Sequence, residues 1–248
     1  MRIGRVGWMV LSLGAFVLLW AAAAWLVDSR KLPSPLEVAN TIGYEIANGH
    51  LLFHVGVTLA RVAVSFFLAM VIGTAIGIFM GRVASADRFF DSWLIFFLNL
   101  PALVVIILSY VWLGLTETAA IAAVAVNKIP NVAVQLREGT RSLSRDLFEM
   151  AAIYRFGLVK TLRHVTLPQL APFFLAASRS GLALVWKIVL VVEVLGRSNG
   201  VGYQLHIAFS NADVKTILAY AISFIVIVQA IEIIVLKPIE MRVNRWRR

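Results

Sequence analysis

The chain of 248 residues contains no cysteine and has few charged residues of either sign. The absence of cysteine excludes disulfides, thiolate metal sites and cysteine nucleophiles. Charged residues make up 15% of the sequence, whereas 60% of the residues are hydrophobic and the mean hydropathy is +0.87. Because the apolar residues fall in blocks long enough to cross a bilayer, the composition excludes a single soluble core and predicts an all-α membrane protein.

Acidic residues are scarce, with 13 Asp and Glu against 23 Lys and Arg, so the formal net charge is +10. In a soluble protein this charge would suggest a nucleic-acid partner. Here its distribution predicts topology instead, because cytoplasmic segments of membrane proteins are enriched in Lys and Arg. With the N-terminus inside, four basic residues fall outside: Arg30, Lys31, Arg197 and Lys215. Fifteen fall inside: Arg2, Arg5, Arg82, Arg88, Arg137, Arg141, Arg145, Arg155, Lys160, Arg163, Lys237, Arg242, Arg245, Arg247 and Arg248. We therefore predict that both termini are cytoplasmic and expect no nucleic-acid partner.

Six apolar blocks predict about six transmembrane helices. Each is long enough, at ~1.5 Å per residue, to cross a hydrocarbon layer of ~30 Å. The predicted helices cover residues 7–27, 57–81, 93–113, 117–136, 173–194 and 214–236. We divide the chain into residues 1–56, with the first helix and an extracytoplasmic amphipathic stretch (36–53), a core at 57–236, and a basic cytoplasmic tail at 237–248.

The alternative for the first block is a cleaved signal peptide, since Arg2 and Arg5 precede it. Its apolar run is longer than a typical signal-peptide core, and Trp25, Leu26 and Val27 stand where small residues are required. We therefore expect a retained helix.

The basic loop at 137–168 is the most structured segment between two predicted helices. Ser144 is suited to cap a helix whose first turn contains Asp146, and Gly157 offers a break after it. A second short helix, at about 159–165, should end before Pro168, because the residue preceding a proline avoids helical geometry. The loop either meets anionic lipid headgroups or docks on a protein partner.

The spacing within this loop resembles the EAA loop of ABC importer permeases. That pattern is Glu-Ala-Ala, three residues, Gly, nine residues, Ile, any residue and Leu-Pro. Glu149, Ala151 and Leu167-Pro168 match it in type and in distance.

Three positions depart from the pattern. Met150 replaces the first Ala, Val165 replaces Ile, and Arg155 stands where the pattern has glycine. Gly157 lies two residues later and is the alternative source of the turn.

Other segments resemble the nitrate, sulfonate and taurine branch of the same family. They are Thr58–Arg61, Asn99–Pro101, Glu193–Gly196 and Gly200–Tyr203. The resemblance covers about residues 55–236.

This resemblance implies a transmembrane subunit of type I ABC importer architecture in a bacterial inner membrane. Its partners would be a dimer of ABC ATP-binding subunits, a second copy of the permease or a homologue, and an extracytoplasmic solute-binding protein. The substrate would be a small polar or anionic compound of the sulfonate, taurine or nitrate type. The chain itself has no G-x-x-x-x-G-K-[ST] motif, so the partner would bind ATP and Mg and this chain would hold no cofactor.

The resemblance also implies that the loop couples the chain to the ATPase. Glu149 would make polar contacts there, Ala151 would permit close approach, and Leu167-Pro168 would fix the angle at which the loop rejoins the fifth helix. The coupling residues expected on this basis are Glu149, Met150, Ala151, Arg155, Gly157, Leu167 and Pro168.

Polar residues inside the predicted helices are a separate group, because intramembrane charge is costly and is functional by default. The candidates for a substrate pathway or gate are Arg61, Asn99, Lys128, Lys187 and Glu193. Lys187 either lines the pathway and attracts an anion or forms a buried pair with a carboxylate on another helix. Glu193, followed by three glycines, is more typical of a helix end and tight turn than of a ligand site.

Lys128 and Asn99 each lie two residues before a proline, Pro130 and Pro101. A proline either breaks a transmembrane helix, which exposes backbone groups to a substrate, or only kinks it. We expect kinks, which are the commoner case.

The sequence contains no catalytic or metal-ligand pattern. His50 and His54 are four residues apart, but two ligands do not close a metal site, and we expect the four histidines to be surface residues. An ion-gradient-driven secondary transporter is the alternative function, yet the inverted repeat that it predicts is not visible. An intramembrane enzyme would need a catalytic constellation that the sequence does not show.

Overall fold

The structure, a computed structural model, describes residues 5–27, 29, 31–238 and 241. The predicted tail at 237–248 lies mostly outside the described residues, as do Arg2, Arg30, Arg242, Arg245, Arg247 and Arg248. Within the described residues the regular elements are all helical. They are α1 (Arg5–Val27), α2 (Pro35–Ala47), α3 (His50–Arg82), α4 (Ala84–Asn99), α5 (Ala102–Leu113), α6 (Glu117–Arg141), α7 (Arg145–Ile153), α8 (Leu158–Thr161), α9 (Leu167–Gly196), α10 (Val201–Ser210) and α11 (Val214–Ile231).

Six candidate membrane spans confirm the predicted fold class. Five of them are long apolar stretches: Gly7–Val27, His50–Arg82, Glu117–Arg141, Leu158–Gly196 and Val214–Val235. The sixth consists of α4 and α5, which together pass the same test but meet at 95°.

The break between α4 and α5 corrects the expectation of a kink at Pro101. Leu100 has an extended backbone (ψ 124°), and α5 begins only after Pro101. The proline ring excludes the helical region for the residue before it and supplies no N–H to continue the ladder. Asn99 ends α4, and its side-chain amide donates to the carbonyl of Ile95 at 2.8 Å.

The second span begins seven residues earlier than predicted, at His50. The predicted amphipathic stretch is therefore two elements, α2 and the start of α3, separated by Gly49 at φ +74°. A capping box starts α2, in which Glu37 accepts from the backbone N–H of Ser34 at 2.8 Å. That backbone hydrogen bond, with a second from the Ser34 side chain, lowers the pKa of Glu37.

Three glycines let α3 and α6 approach closely at the centre of the bundle. Gly73, Gly77 and Gly81 are four residues apart, so they share one face of α3. A Cβ at Gly73 would lie 2.6 Å from Val132 Cβ, and one at Gly81 would lie 2.6 Å from Thr140 Cβ. Small residues at this spacing allow transmembrane helices to pack backbone to backbone.

The helix that follows the basic loop continues through Pro168, contrary to the prediction that it ends there. Residues Leu162–Thr166 form a π-turn that joins α8 to α9 without interruption. The N–H of Leu167 bonds to the carbonyl of Leu162. Pro168 follows directly after this π-turn, where the hydrogen-bond ladder has already changed register, and it supplies no N–H to the ladder.

Candidate functional site

Glu193 near the end of α9 is the centre of a buried polar cluster. Its side chain is 0% exposed, and its carboxylate accepts from three neighbours. Thr58 donates at 2.9 Å, Arg61 Nη1 at 2.6 Å and the backbone N–H of Gly202 at 2.8 Å. A buried carboxylate with this many donors, one of them cationic, is satisfied in its charged form.

The cluster caps the N-terminus of α10 with side chains from other helices. The N–H of Gly200 donates to His54 Nδ1 at 3.0 Å, and the N–H of Val201 donates to Thr58 Oγ1 at 2.8 Å. Glu193 accepts the third N–H, that of Gly202. These donors lack intrahelical partners, and the positive end of the helix dipole favours the carboxylate. Helices α3 and α9 therefore hold α10 by its first turn.

His54 corrects the expectation that the histidines are surface residues. His50, His164 and His206 are exposed, but His54 is buried beside Tyr203 and Tyr220. The prediction failed because the second helix was expected to start after residue 54.

The glycines that follow Glu193 are explained by close approach. Gly200 has φ +107°, and a Cβ there would collide with the Glu193 carboxylate. A Cβ at Gly202 would lie 2.6 Å from Glu193 Cβ. The spacing from Glu193 to Gly202 is thus a requirement of the cap.

Arg61 links the cap to the start of α6. Its side chain is almost fully buried, and besides Glu193 it binds Glu117 through Nε at 2.9 Å and Nη2 at 2.6 Å. It also donates to the backbone carbonyl of Asn199 at 2.8 Å and to the Asn199 side chain. Arg197 completes the set, donating to Glu117 at 2.6 Å and to the carbonyl of Leu115 at 2.5 Å.

We call the residues His54, Thr58, Arg61, Glu117, Glu193, Arg197 and Asn199 the Glu193 cluster. Its two arginines and two glutamates balance in charge. Sequence reasoning singled out Arg61 and Glu193 separately, but it missed Glu117, which a capping pattern with Thr116 makes prominent at the start of α6.

Lys187 and Lys128 lie apart from this cluster and from each other. Lys187 is exposed in a cleft of about 340 Å³ between α9 and α11, which Arg179, Gln229 and Glu232 also line. Lys128 is 1% exposed in the core. The helix α6 continues through Pro130, so this proline does not break it.

The turn of the basic loop is made by Arg155, which corrects the suggestion that Gly157 supplies it. Arg155 has φ +51°, whereas Gly157 has φ −70° and precedes α8. The N–H of Phe156 donates to the carbonyl of Ala151 at 2.8 Å, and the N–H of Arg155 donates to the carbonyl of Ala152 at 3.0 Å. This pair of bonds is a Schellman motif, whose left-handed position is usually glycine.

Two further expectations about this loop need correction. Ser144 precedes α7, but its side chain makes no capping bond, and its N–H instead donates to Gln169 Oε1 at 2.9 Å. Ala151 is buried, so its small side chain permits α7 to pack against its own chain rather than against a partner.

The loop exposes large apolar side chains alongside the basic Arg155 and Lys160. Leu158 is 91% exposed, Val159 79%, Ile153 78% and Tyr154 71%. Glu149 and Met150 are exposed beside them. We call Ile153, Tyr154, Leu158 and Val159 the loop face.

Comparison with known proteins gives one matching family and several relatives. Residues 73–236 match the family described as "Binding-protein-dependent transport system inner membrane component". The chain is 28% identical over 247 residues to the "Putative aliphatic sulfonates transport permease protein SsuC" of Bacillus subtilis, covering 98% of this chain and 89% of that protein. It is 30% identical over 190 residues to the Escherichia coli protein of the same name, covering 75% and 72%.

A third relative and a solved structure agree with these. The "Taurine transport system permease protein TauC" of Escherichia coli is 24% identical over 250 residues, covering 96% of this chain and 90% of that protein. A chain from "Inward facing conformations of the MetNI methionine ABC transporter" superposes with a TM-score of 0.64 at 19% identity, covering 79% of this chain and 98% of that chain. At that identity the superposition shows a common fold.

Proposed function

The chain belongs to the family of binding-protein-dependent transport system inner membrane components. We propose that its basic loop, with α7 and α8, couples it to a separate ATP-binding subunit. The chain is a multi-pass permease of an ABC importer. The observation that carries the coupling role is the loop face. Four exposed apolar side chains stand on a short, structured loop between two spans, and such patches mark protein interaction sites.

The remainder of the assembly follows from the family description, which implies a binding protein and an ATPase. We propose two permease copies, or this chain and a homologue, with two ATP-binding subunits that hold ATP and Mg. The termini would lie on the cytoplasmic side with the loop. The Glu193 cluster would then lie at the opposite side, where it fixes α10 beneath the solute-binding protein.

The substrate we propose is a small sulfonate or a similar anion. Three relatives are named as permeases for aliphatic sulfonates or taurine, and a relative from Synechococcus elongatus is described as a "Bicarbonate transport system permease protein CmpB". These compounds share a small size and an acid group. A pathway that carries them requires cationic or hydrogen-bonding groups within the membrane.

Among the pathway and gate candidates, the contacts separate two roles. Arg61 and Glu193 neutralise each other, so we assign them to the mechanical connection between α3, α9 and α10 at the gate. Lys187 faces the open cleft between α9 and α11, where its charge would attract an anion. Asn99 is exposed at the break between α4 and α5, where it would be a further polar group of the pathway.

Replacing Leu158 with aspartate tests the coupling role. A charge at the centre of the loop face should abolish co-purification with the ATP-binding subunit and reduce ATP-driven uptake of ethanesulfonate into proteoliposomes by at least about tenfold, the effect of losing one interface anchor. Phe209→Asp, at a 75% exposed position on α10, is the matched control and should retain the ATPase. A Leu158→Asp permease that still binds the ATPase would contradict the coupling role, and uptake driven by a proton gradient without ATP would contradict the importer.

A further inference from the structure

Lys128 is buried at the junction of three helices, and its charge has no partner there. Its side chain is 1% exposed, and among the described residues its Nζ has no hydrogen-bond acceptor. It extends from α6 to Gly181 on α9, and Phe66 of α3 lies against the same glycine. A Cβ at Gly181 would lie 2.6 Å from Lys128 Cε and 3.3 Å from Nζ.

Leaving this ammonium unpaired is costly. A buried charge without a counter-charge or acceptor costs several kcal/mol, and more so within a membrane. The contrast with Arg61 is direct, because Arg61 is also buried in a span but binds two carboxylates. A methionine would fill the same space beside Gly181 without the charge, so packing alone does not explain a lysine.

The positions of Lys128 and Gly181 along their helices are a second reason to consider a substrate contact. Lys128 is the twelfth residue of the 25-residue α6, and Gly181 is the fifteenth of the 30-residue α9, so both lie near mid-height of their spans. Pro130 follows within one turn and removes the N–H that would bond to the carbonyl of Val126. The carbonyl of Val126 therefore lacks its helical donor although α6 continues, and transporters hold their substrates near the bilayer midplane.

The chemistry of the lysine suits the proposed ligand. Its ammonium group has three N–H donors, and charge-assisted hydrogen bonds from such a group are suited to bind the oxygens of an acid group.

We propose that Lys128 is the residue that binds the acid group of the transported anion, in a state in which α6 and α9 separate at Gly181. Gly181 has no side chain that must withdraw from Lys128 when the helices separate, whereas the Gln135–Ser180 hydrogen bond beside it must break. Binding a sulfonate then supplies the counter-charge that the closed junction lacks. This inference rests on the proposed function, since it assigns the substrate's charge to one residue.

The test is uptake of ethanesulfonate by the complete importer, with its ATPase and binding protein, in proteoliposomes containing ATP. Lys128→Met keeps the length and volume of the side chain and removes the charge. We expect uptake to fall about 30-fold or more, the loss of one charge-assisted contact, while assembly with the ATPase is unchanged and the melting temperature is unchanged or higher. Lys128→Gln should lose uptake to a similar extent, because it keeps polarity but not charge. Lys215→Met is the control for a surface lysine and should transport like the wild type.

The outcomes separate the two proposals. Uptake by the Lys128→Met importer within twofold of the wild-type rate would overturn the assignment of Lys128 and leave the importer intact. A Lys128→Met protein that melts lower and loses the ATPase would show a structural role and would also overturn it. Absence of ATP-driven uptake in the wild type would contradict the proposed function itself, and with it this inference.

Discussion

Arg155 holds a left-handed backbone conformation that glycine adopts without strain. Its position in the Schellman motif is the one where the EAA pattern has glycine, the residue that favours this conformation. We predict that Arg155→Gly raises the free energy of unfolding by about 0.5–1 kcal/mol, the left-handed strain less the added entropy of the unfolded glycine.

Thermal unfolding of the purified permease checks this prediction. Gly157→Ala is the control, because Gly157 has φ −70° and a Cβ there meets nothing within 4 Å. We expect Gly157→Ala to leave the melting temperature of the permease unlowered. A lower melting temperature for Arg155→Gly would show that the arginine side chain contributes more than its backbone costs.

Arg61 is the residue on which the Glu193 cluster depends most. Arg61→Met would leave Glu193 buried without its cation, and breaking a buried pair in this way costs about 3–5 kcal/mol. Chemical or thermal unfolding should register that loss. Arg88→Met, at an exposed arginine of α4, should change stability by less than about 0.5 kcal/mol. Equal effects from the two substitutions would contradict a buried clamp.

Among the elements, α3 and α6 show how closely the bundle is packed. Gly77→Val would place side-chain atoms against the backbone of α6, since even a Cβ there lies 2.8 Å from Leu136 Cβ. We predict destabilisation of at least about 2 kcal/mol, seen as a loss of folded permease on size-exclusion chromatography. Gly56→Val on the same helix meets nothing within 4 Å and should fold normally. A well-folded Gly77→Val protein would mean that the two helices separate without penalty.

The sequence predicted the existence of the spans better than their interruptions. Long apolar blocks specify a span whatever surrounds them, so five of them match one long helix each and the sixth matches the bent pair α4 and α5. The effect of a proline depends on its surroundings: Pro101 ends a helix, Pro130 lies within one, and Pro168 begins one after a π-turn. No pattern of residue types distinguishes these cases, because the neighbouring helices decide which backbone groups can be satisfied.

The polar site was predictable only in part for a related reason. Arg61 and Glu193 stand out as charges in apolar blocks, and Gly200 and Gly202 stand out as a turn. Their meeting joins residues 132 positions apart in the chain and needs the bundle to be assembled. His54 was missed because a boundary error of seven residues placed it outside the helix.

For the molecule as a whole, we propose a force-transmitting subunit, because one long helical stretch joins the loop face to the Glu193 cluster. The basic loop continues into α9 through a π-turn without a break in the helix. Near the other end of α9, Glu193 caps α10. One helix therefore connects the loop face to the Glu193 cluster. Movement of the loop by an ATP-binding subunit would be passed along α9 to the opposite side, as rigid elements with hinges at their ends allow.

The absence of cysteine makes contact between the loop face and the ATP-binding subunit directly measurable, because one introduced cysteine is the only thiol in the chain. Leu158→Cys, labelled with benzophenone maleimide and irradiated in the assembled importer, places a cross-linker on the loop face. We predict a covalent product between the Leu158→Cys permease and its ATP-binding subunit, and none from Phe209→Cys on α10. A product from Phe209→Cys, with none from Leu158→Cys, would contradict it.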